Sequence, residues 1–244
     1  IMVAALMMMV LLEWLQLING LKQAAPMILG MTMGVVQLIG IYAYAVSSDG
    51  KYLFLTTMLV VIGINGYGLI NLAHDIKQRS TGNGTMLMAI LVCGWGGGSM
   101  ILLRELSFQP DGRFWVILLL AITWLGDTGA MHFGRWIGKH KLAPIISPKK
   151  TIEGLIAAVL CGLAGGFGAY FACGFTMPWW HILIIAPVIV VLAHVGDLTA
   201  SMVKRAARVK DSSKRIPGHG GYLDRFDNVL LSAPFLYLYS QYLI

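Results

Sequence analysis

Apolar residues run along this chain in blocks of about twenty, separated by short polar or basic stretches. The blocks fall at 1–18, 26–46, 52–72, 85–106, 114–133, 152–174, 180–200 and 227–244. A helix that crosses the hydrocarbon core of a bilayer takes roughly 20 apolar residues. Inside the blocks apolar and polar positions do not alternate with period two, so helices are expected rather than the strands of a barrel. The pattern predicts an all-α, polytopic integral membrane bundle with eight transmembrane helices. The chain opens on Ile1 and is apolar from its first residue, so a ninth helix ahead of Ile1 is expected as well. Gly-rich patches, "CGWGGGSM" from Cys93 and "CGLAGGFGAY" from Cys161, lie inside two of the blocks, where small residues let helix backbones approach closely. Residues 1–120 are expected to form N-terminal transmembrane helices that serve packing and dimerisation. Residues 121–244 are expected to form the catalytic region with its cytoplasmic loops.

Composition sharpens this picture. The chain is 57% hydrophobic and 12% charged, whereas a soluble domain carries about 25% charged residues. Its eleven acids and eighteen bases are too few and too clustered to clothe a soluble globule. Cys93, Cys161 and Cys173 fall in apolar runs without CxxC spacing or a His partner, so neither a disulfide framework nor a zinc site is indicated and buried thiols are expected.

The net charge of +7 is unevenly placed. Fifteen of the eighteen Lys and Arg residues fall in alternate connections: Lys22, Lys77, Arg79, the five from Arg135 to Lys150 and the seven from Lys204 to Arg225. Lys51, Arg104 and Arg113 are left for the other side. The side rich in bases is the cytoplasmic one by the positive-inside rule, and the charge there attracts anionic lipid heads. A basic soluble face with interleaved aromatics is absent, so nucleic acid is not expected as a partner.

Acids beside membrane spans are costly and mark candidate sites. Asp127 lies in "WLGDTGAMHFG" and Asp197 in "AHVGDLTASMVKR", both near the cytoplasmic ends of their runs. Ser201, Lys204 and Arg208 follow Asp197 on one helical face. Asp224 and Asp227, three residues apart at the start of the last run, share a face near the positive end of a helix dipole. Carboxylates gathered in this way repel one another unless they bind protons or cations, and Mg²⁺ suits one or two of them when phosphate completes its shell. His219 is read first as a hydrogen-bond donor. Gly218, Gly220 and Gly221 permit positive φ and close backbone approach to an anion, among Lys204, Arg205, Lys210, Lys214, Arg215 and Arg225. In "SPKKTIEG" Ser147 is expected to cap the sixth helix, with Pro148 at its first position, and Lys149 and Lys150 make that helix start a phosphate site. Three acids, a ring of bases and a membrane-surface location point to phosphoryl-group chemistry on a lipid.

The stretch "SMVKRAARVKDSSKRIPGHGGYLDRFD", Ser201 to Asp227, resembles the signature of the phosphatidate cytidylyltransferase (CDP-diacylglycerol synthase) family. That signature runs S-x-x-K-R, four residues, K-D, then P-x-H-G-G-x-x-D-R-x-D, and every fixed position is met. Tyr222 stands where an aliphatic residue is more usual. "GDTGAMHFGRWIGKHKLAPIISPKKTIEG", Gly126 to Gly154, is similar to a second family block, with Met131 in place of an aromatic, and "GDLTAS" is similar to the segment before the signature. The resemblance is dense from Asp127 to Asp227. Over residues 1–120 it is mainly hydropathy, with "EWLQL" at Glu13 as an echo.

The resemblance implies a dimeric multi-helix enzyme of the bacterial cytoplasmic (inner) membrane, with a polar cavity facing the cytoplasm. It implies transfer of CMP from CTP to phosphatidic acid, giving CDP-diacylglycerol and pyrophosphate, with Mg²⁺ and a possible companion K⁺. The family's metal-binding acids fall on Asp197, Asp224 and Asp227, and its phosphate-contacting and catalytic positions on Ser201, Lys204, Arg205, Lys210 and His219. Ser147, Lys149, Lys150, Thr151, Asp211, Gly220, Gly221 and Arg225 complete the expected substrate contacts. Asp127 is added to the catalytic set with three readings open: lining the cavity, touching the nucleotide or bracing helices. Two other classes fit the sequence less well. A secondary transporter relaying ions through Asp127 and Asp197 predicts related halves, and no internal repeat is found. A CDP-alcohol phosphatidyltransferase needs a D-G-x-x-A-R core, which is absent.

Overall fold

The computed structural model describes residues 2–19, 24–70, 76–106, 111–218 and 220–244. Among these residues the chain forms α1 (Met2–Asn19), α2 (Ala24–Ser47), α3 (Gly50–Ile70), α4 (Ile76–Arg104), α5 (Gly112–Trp136), β1 (Lys141–Ala143), β2 (Ser147–Thr151), α6 (Ile152–Cys173), α7 (Trp180–Ala206) and α8 (Leu223–Leu243). Each predicted run therefore holds a helix. Five helical stretches are long and apolar enough to cross a membrane: Ala25–Ser47, Gly82–Arg104, Gly112–Trp136, Ile152–Cys173 and Trp180–Ala206. The chain is thus an integral membrane protein. Large apolar side chains such as Phe54, Trp124, Leu160 and Phe171 point outward, as lipid-facing positions should.

The chain divides into two compact units, one of Ile1–Leu102 with Val203–Phe226 and one of Leu103–Met202 with Asp227–Ile244. In lipid, burial of apolar surface gives little net drive, so helices are held by close packing around small residues. The first unit does this on α4, where Gly94, Gly97 and Gly98 of the "CGWGGGSM" patch take the side chains of Gln37, Met7 and Ile41. Gln37 is fully buried on α2 and satisfies its amide through Thr57 Oγ1 of α3 at 3.1 Å.

The second unit packs α5 on α6 in the same way. A Cβ at Gly129 would press on Cys161 and Ala157, and one at Gly165 on the Ala121 backbone, so only small residues fit along this seam. Val190 of α7 fills the space left at Gly126 and Gly162.

The connection from α5 to α6 departs from the all-α expectation. Ser147 does not cap the helix, and Pro148 is not its first residue. Residues Ser147–Thr151 instead form β2, antiparallel to β1, with Lys141 opposite Thr151 and Ala143 opposite Ser147. Pro148 is tolerated because a two-stranded hairpin is all edge and needs no inward N–H there. The cap is Thr151, four residues later, whose hydroxyl accepts from the Gly154 N–H at 3.1 Å. Glu153 in the first turn of α6 fastens the hairpin base, accepting from the backbone N–H groups of Lys139 and His140 and pairing with His140 Nδ1 at 2.6 Å.

Candidate active site

The hairpin and three helices enclose a cavity of about 600 Å³ in the second unit. Strand alternation turns Lys150 inward while Lys149 stays at the rim, and both line the cavity with Lys141 and Arg135. The opposing wall carries Asp127 of α5 and His194 and Asp197 of α7. Lys150 Nζ lies 2.6 Å from Asp197 Oδ2, and Ser201 one turn along α7 donates to Asp197 Oδ1 at 3.2 Å. Asp127 accepts a hydrogen bond from Nδ2 of the buried Asn228 on α8. Asp127 is therefore both a cavity wall and a brace between α5 and α8.

Asp227 is 7% exposed and next to Asn228. A Cβ at Gly196 would collide with the Asp227 carbonyl oxygen. Gly196 is what lets α7 and α8 touch here, and it brings Asp197, the next residue, to the same helix crossing as Asp227. Thr151 and Lys149 lie in the cavity lining, whereas Ser147 pairs with Ala143 at the far end of β2 and lies outside it.

In the first unit, the segment between α7 and α8 folds around Asp224. Lys204, 8% exposed, places Nζ 2.6 Å from Asp224 Oδ1. Oδ2 accepts from Ser212 N at 2.9 Å, Ser212 Oγ at 3.0 Å and Gly221 N at 3.0 Å. Burial pushes the Asp224 carboxyl up, but the Lys204 hydrogen bond and the Gly221 and Ser212 N–H groups outweigh it and hold the group below the usual carboxylate range.

Glu13 of α1 is fully buried in this unit. Its Oε2 accepts from Ser212 Oγ at 2.7 Å and Leu223 N at 3.0 Å, and its Oε1 from Ser213 Oγ at 2.7 Å. Leu223 N is one of the unpaired donors at the start of α8, so a carboxylate some 200 residues away in sequence acts as that helix's cap. The Ser212 hydroxyl has one proton and lies between Glu13 and Asp224, which share it.

This network explains the paired glycines of "HGGYLDRFD". Gly220 has φ of 80°, a conformation that L side chains rarely adopt. A Cβ at Gly221 would collide with the Ser212 hydroxyl and the Glu13 carboxylate. A second cavity, about 570 Å³, opens beside them, with Lys210, Asp211, Lys214, Gly220 and Arg225 in its lining. Arg205 is exposed, with Nη1 donating to the Val209 carbonyl at 3.3 Å. His219 lies outside the described residues.

The structure thus groups Asp127, Lys149, Lys150, Thr151 and Asp197 around one cavity, and Lys204, Lys210, Asp211, Gly220, Gly221 and Asp224 in the other unit. Glu13, His194, Asn228 and Arg135 were not anticipated in these roles. Glu13 did carry a signal, being an acid within an apolar run. Among the described residues no three His, Cys, Asp or Glu side chains converge on one metal position. Asp197 and Asp227 are oxygen donors of the kind that Mg²⁺ takes, one or two carboxylates being completed by substrate oxygens and water.

The chain is similar to proteins named phosphatidate cytidylyltransferase. That of Staphylococcus haemolyticus strain JCSC1435 is 43% identical over 128 residues, covering 52% of this chain and 49% of the relative. Those of Staphylococcus saprophyticus and of Staphylococcus aureus strain COL are 41% and 42% identical over the same length and shares. The chain spans about half the length of the curated relatives it matches. The profile of the cytidylyltransferase family matches residues 1–243, nearly the entire chain, and the protein belongs to that family.

Proposed function

We propose that the protein transfers CMP from CTP to phosphatidate in the membrane, forming CDP-diacylglycerol and releasing pyrophosphate. The observation that carries this reading is the cavity in which Lys149, Lys150, Lys141 and Arg135 face Asp127 and Asp197 among membrane-crossing helices. Four bases in one cavity suit a polyphosphate, and the family supplies the nucleotide class. The names of the Staphylococcus relatives support phosphatidate as acceptor.

In the proposed reaction a phosphatidate oxygen attacks the α-phosphorus of CTP in line, and pyrophosphate leaves. Such transfers are catalysed mainly by positioning and charge neutralisation. Lys150 is held at the cavity wall by Asp197, and Lys149, Lys141 and Arg135 offset the remaining phosphate charge. Asp197 and Asp227 would hold Mg²⁺, which when bound supplies Lewis-acid polarisation of phosphate oxygens. Ser201 keeps Asp197 oriented through its hydrogen bond. The nucleophile is already anionic, so no strong general base is required. In the other unit, Lys210, Gly220 and Arg225 line a cavity that offers an anion-binding surface of its own.

The proposed topology has all eight helices in the membrane, with the Lys- and Arg-rich connections on the cytoplasmic side. A homodimer is the proposed assembly. The test is purified protein in mixed micelles with CTP, phosphatidate and Mg²⁺ varied independently. Pyrophosphate release that requires all three supports the reading, and release without phosphatidate, or none at all, overturns it.

A further inference from the structure

His194 lines the 600 Å³ cavity, is 7% exposed, and has no role in the reaction as set out above. Its Nδ1 lies 2.9 Å from the carbonyl oxygen of Val190, one turn earlier on α7. A carbonyl oxygen only accepts hydrogen bonds, so Nδ1 carries the proton. In the neutral ring Nε2 is then a bare acceptor. Among the described residues no protein group hydrogen-bonds to Nε2.

The charged groups facing this part of the cavity are already engaged. Asp197 takes Lys150 and Ser201, and Asp127 takes Asn228. Lys150, the cation of β2 on this side, is the partner of Asp197. His194 Nε2 therefore stands as an unused hydrogen-bond acceptor among groups occupied with one another, in a cavity whose bases suit phosphate. A phosphate oxygen or a carbonyl would meet it lone pair to lone pair. An N–H or O–H would be accepted.

Resting on the proposed reaction, we propose that His194 contacts bound substrate, its Nε2 accepting a hydrogen bond from a substrate N–H or O–H. Both substrates carry such a donor: the cytosine amine and ribose hydroxyls of CTP, and the remaining phosphomonoester hydroxyl of monoanionic phosphatidate. The contact gives a site built for anions a means of selecting by a neutral donor. A buried acceptor left without its partner discriminates strongly against a substrate that lacks the donor.

Two substitutions separate this from a purely structural role. In His194→Asn the amide nitrogen takes the place of Nδ1 and keeps the Val190 hydrogen bond, while nothing remains at Nε2. In His194→Gln an amide oxygen reaches the Nε2 position. The Asn variant should keep the wild-type melting temperature within a few degrees and lose at least about tenfold in kcat/KM, and Gln should restore turnover to within about threefold of wild type. A loss expressed in KM for CTP that shrinks with UTP or dCTP, each lacking one of the donors, identifies the nucleoside as the source of the donor. A loss expressed in KM for phosphatidate identifies the lipid.

Melting-temperature shifts induced separately by CTP and by phosphatidate micelles provide a readout that needs no turnover. One of the two shifts should shrink in Asn and return in Gln. Wild-type protein that fails to turn over removes the reaction but leaves this binding result standing. Wild-type kinetics and ligand shifts in the Asn variant, or equal losses in Asn and Gln, overturn the proposal.

Discussion

Replacing Glu13 by Ala removes a fully buried carboxylate that accepts three hydrogen bonds, from Ser212 Oγ, Ser213 Oγ and Leu223 N. Hydrogen bonds to charged groups contribute about 1.5–3 kcal/mol each. The loss is less than three times that. The Ser212 hydroxyl can turn wholly to Asp224 Oδ2, already 3.0 Å away, and the part-buried Ser213 hydroxyl can reach water. The Leu223 N–H has no such alternative, because Leu223 is fully buried at the start of α8. One stranded donor, one weakened bond and the vacated volume come to about 3 kcal/mol. In a chain of this size that corresponds to a fall of about 6–12 °C in Tm. Glu13→Gln, which retains an acceptor oxygen and the volume, should lose about half as much. The assay is thermal unfolding in detergent, paired with hydrogen exchange of residues 212–223, whose amides should exchange faster in the Ala variant. An unchanged Tm together with unchanged exchange at Leu223 would refute the idea that α1 fastens this loop.

Three further outcomes follow from the same contacts. Gly221→Ala places a methyl group against the Ser212 hydroxyl and the Glu13 carboxylate and should cost about 1–3 kcal/mol, read as a lower Tm; a neutral effect would show that the loop has room to move. Asp197→Asn should free Lys150 and abolish most Mg²⁺-stimulated pyrophosphate release while leaving the helical circular dichroism signal intact, and full activity in that variant would remove Asp197 from the site. Because Asp224 is held below the usual carboxylate range in the folded chain, the unfolded chain binds more protons at mildly acid pH. Its contribution is therefore complete above the unfolded Asp value of about 3.9 and is lost as pH falls through the folded value, so Tm should drop on acidification in wild type and drop less in Asp224→Asn.

The helices were legible because a block of about twenty apolar residues has few other stable conformations in a bilayer. Their ends were less so. α7 continues to Ala206 and carries Lys204 and Arg205, beyond the apolar run that stops near 200, and α8 begins at Leu223, before the run that starts at 227. Hydropathy marks where lipid would sit, whereas the backbone ladder continues into water wherever propensity and capping allow. The β1–β2 hairpin left no trace in the pattern, since three- and five-residue strands are too short for a period to register and Pro148 argued for a helix start. The acids and bases of the candidate site could be named from spacing and signature alone. His194 could not, as a histidine in an apolar helix looks the same whether its second nitrogen is buried in packing or open to a cavity.

By itself the sequence determined that this is a multi-helix membrane protein with most of its bases in alternate connections between apolar runs, that its glycines mark close helix contacts, and that its C-terminal half carries the signature chemistry. Each of these is local, being set by side-chain polarity, helical period or residues adjacent in the chain. The tertiary structure decided the pairings: Lys150 with Asp197, Lys204 with Asp224, Asn228 with Asp127, and Glu13 with a loop some 200 residues away. A carboxylate's partner depends on which donors reach it once the backbone is folded, and nothing in the spacing of residues along a chain fixes a distance across it.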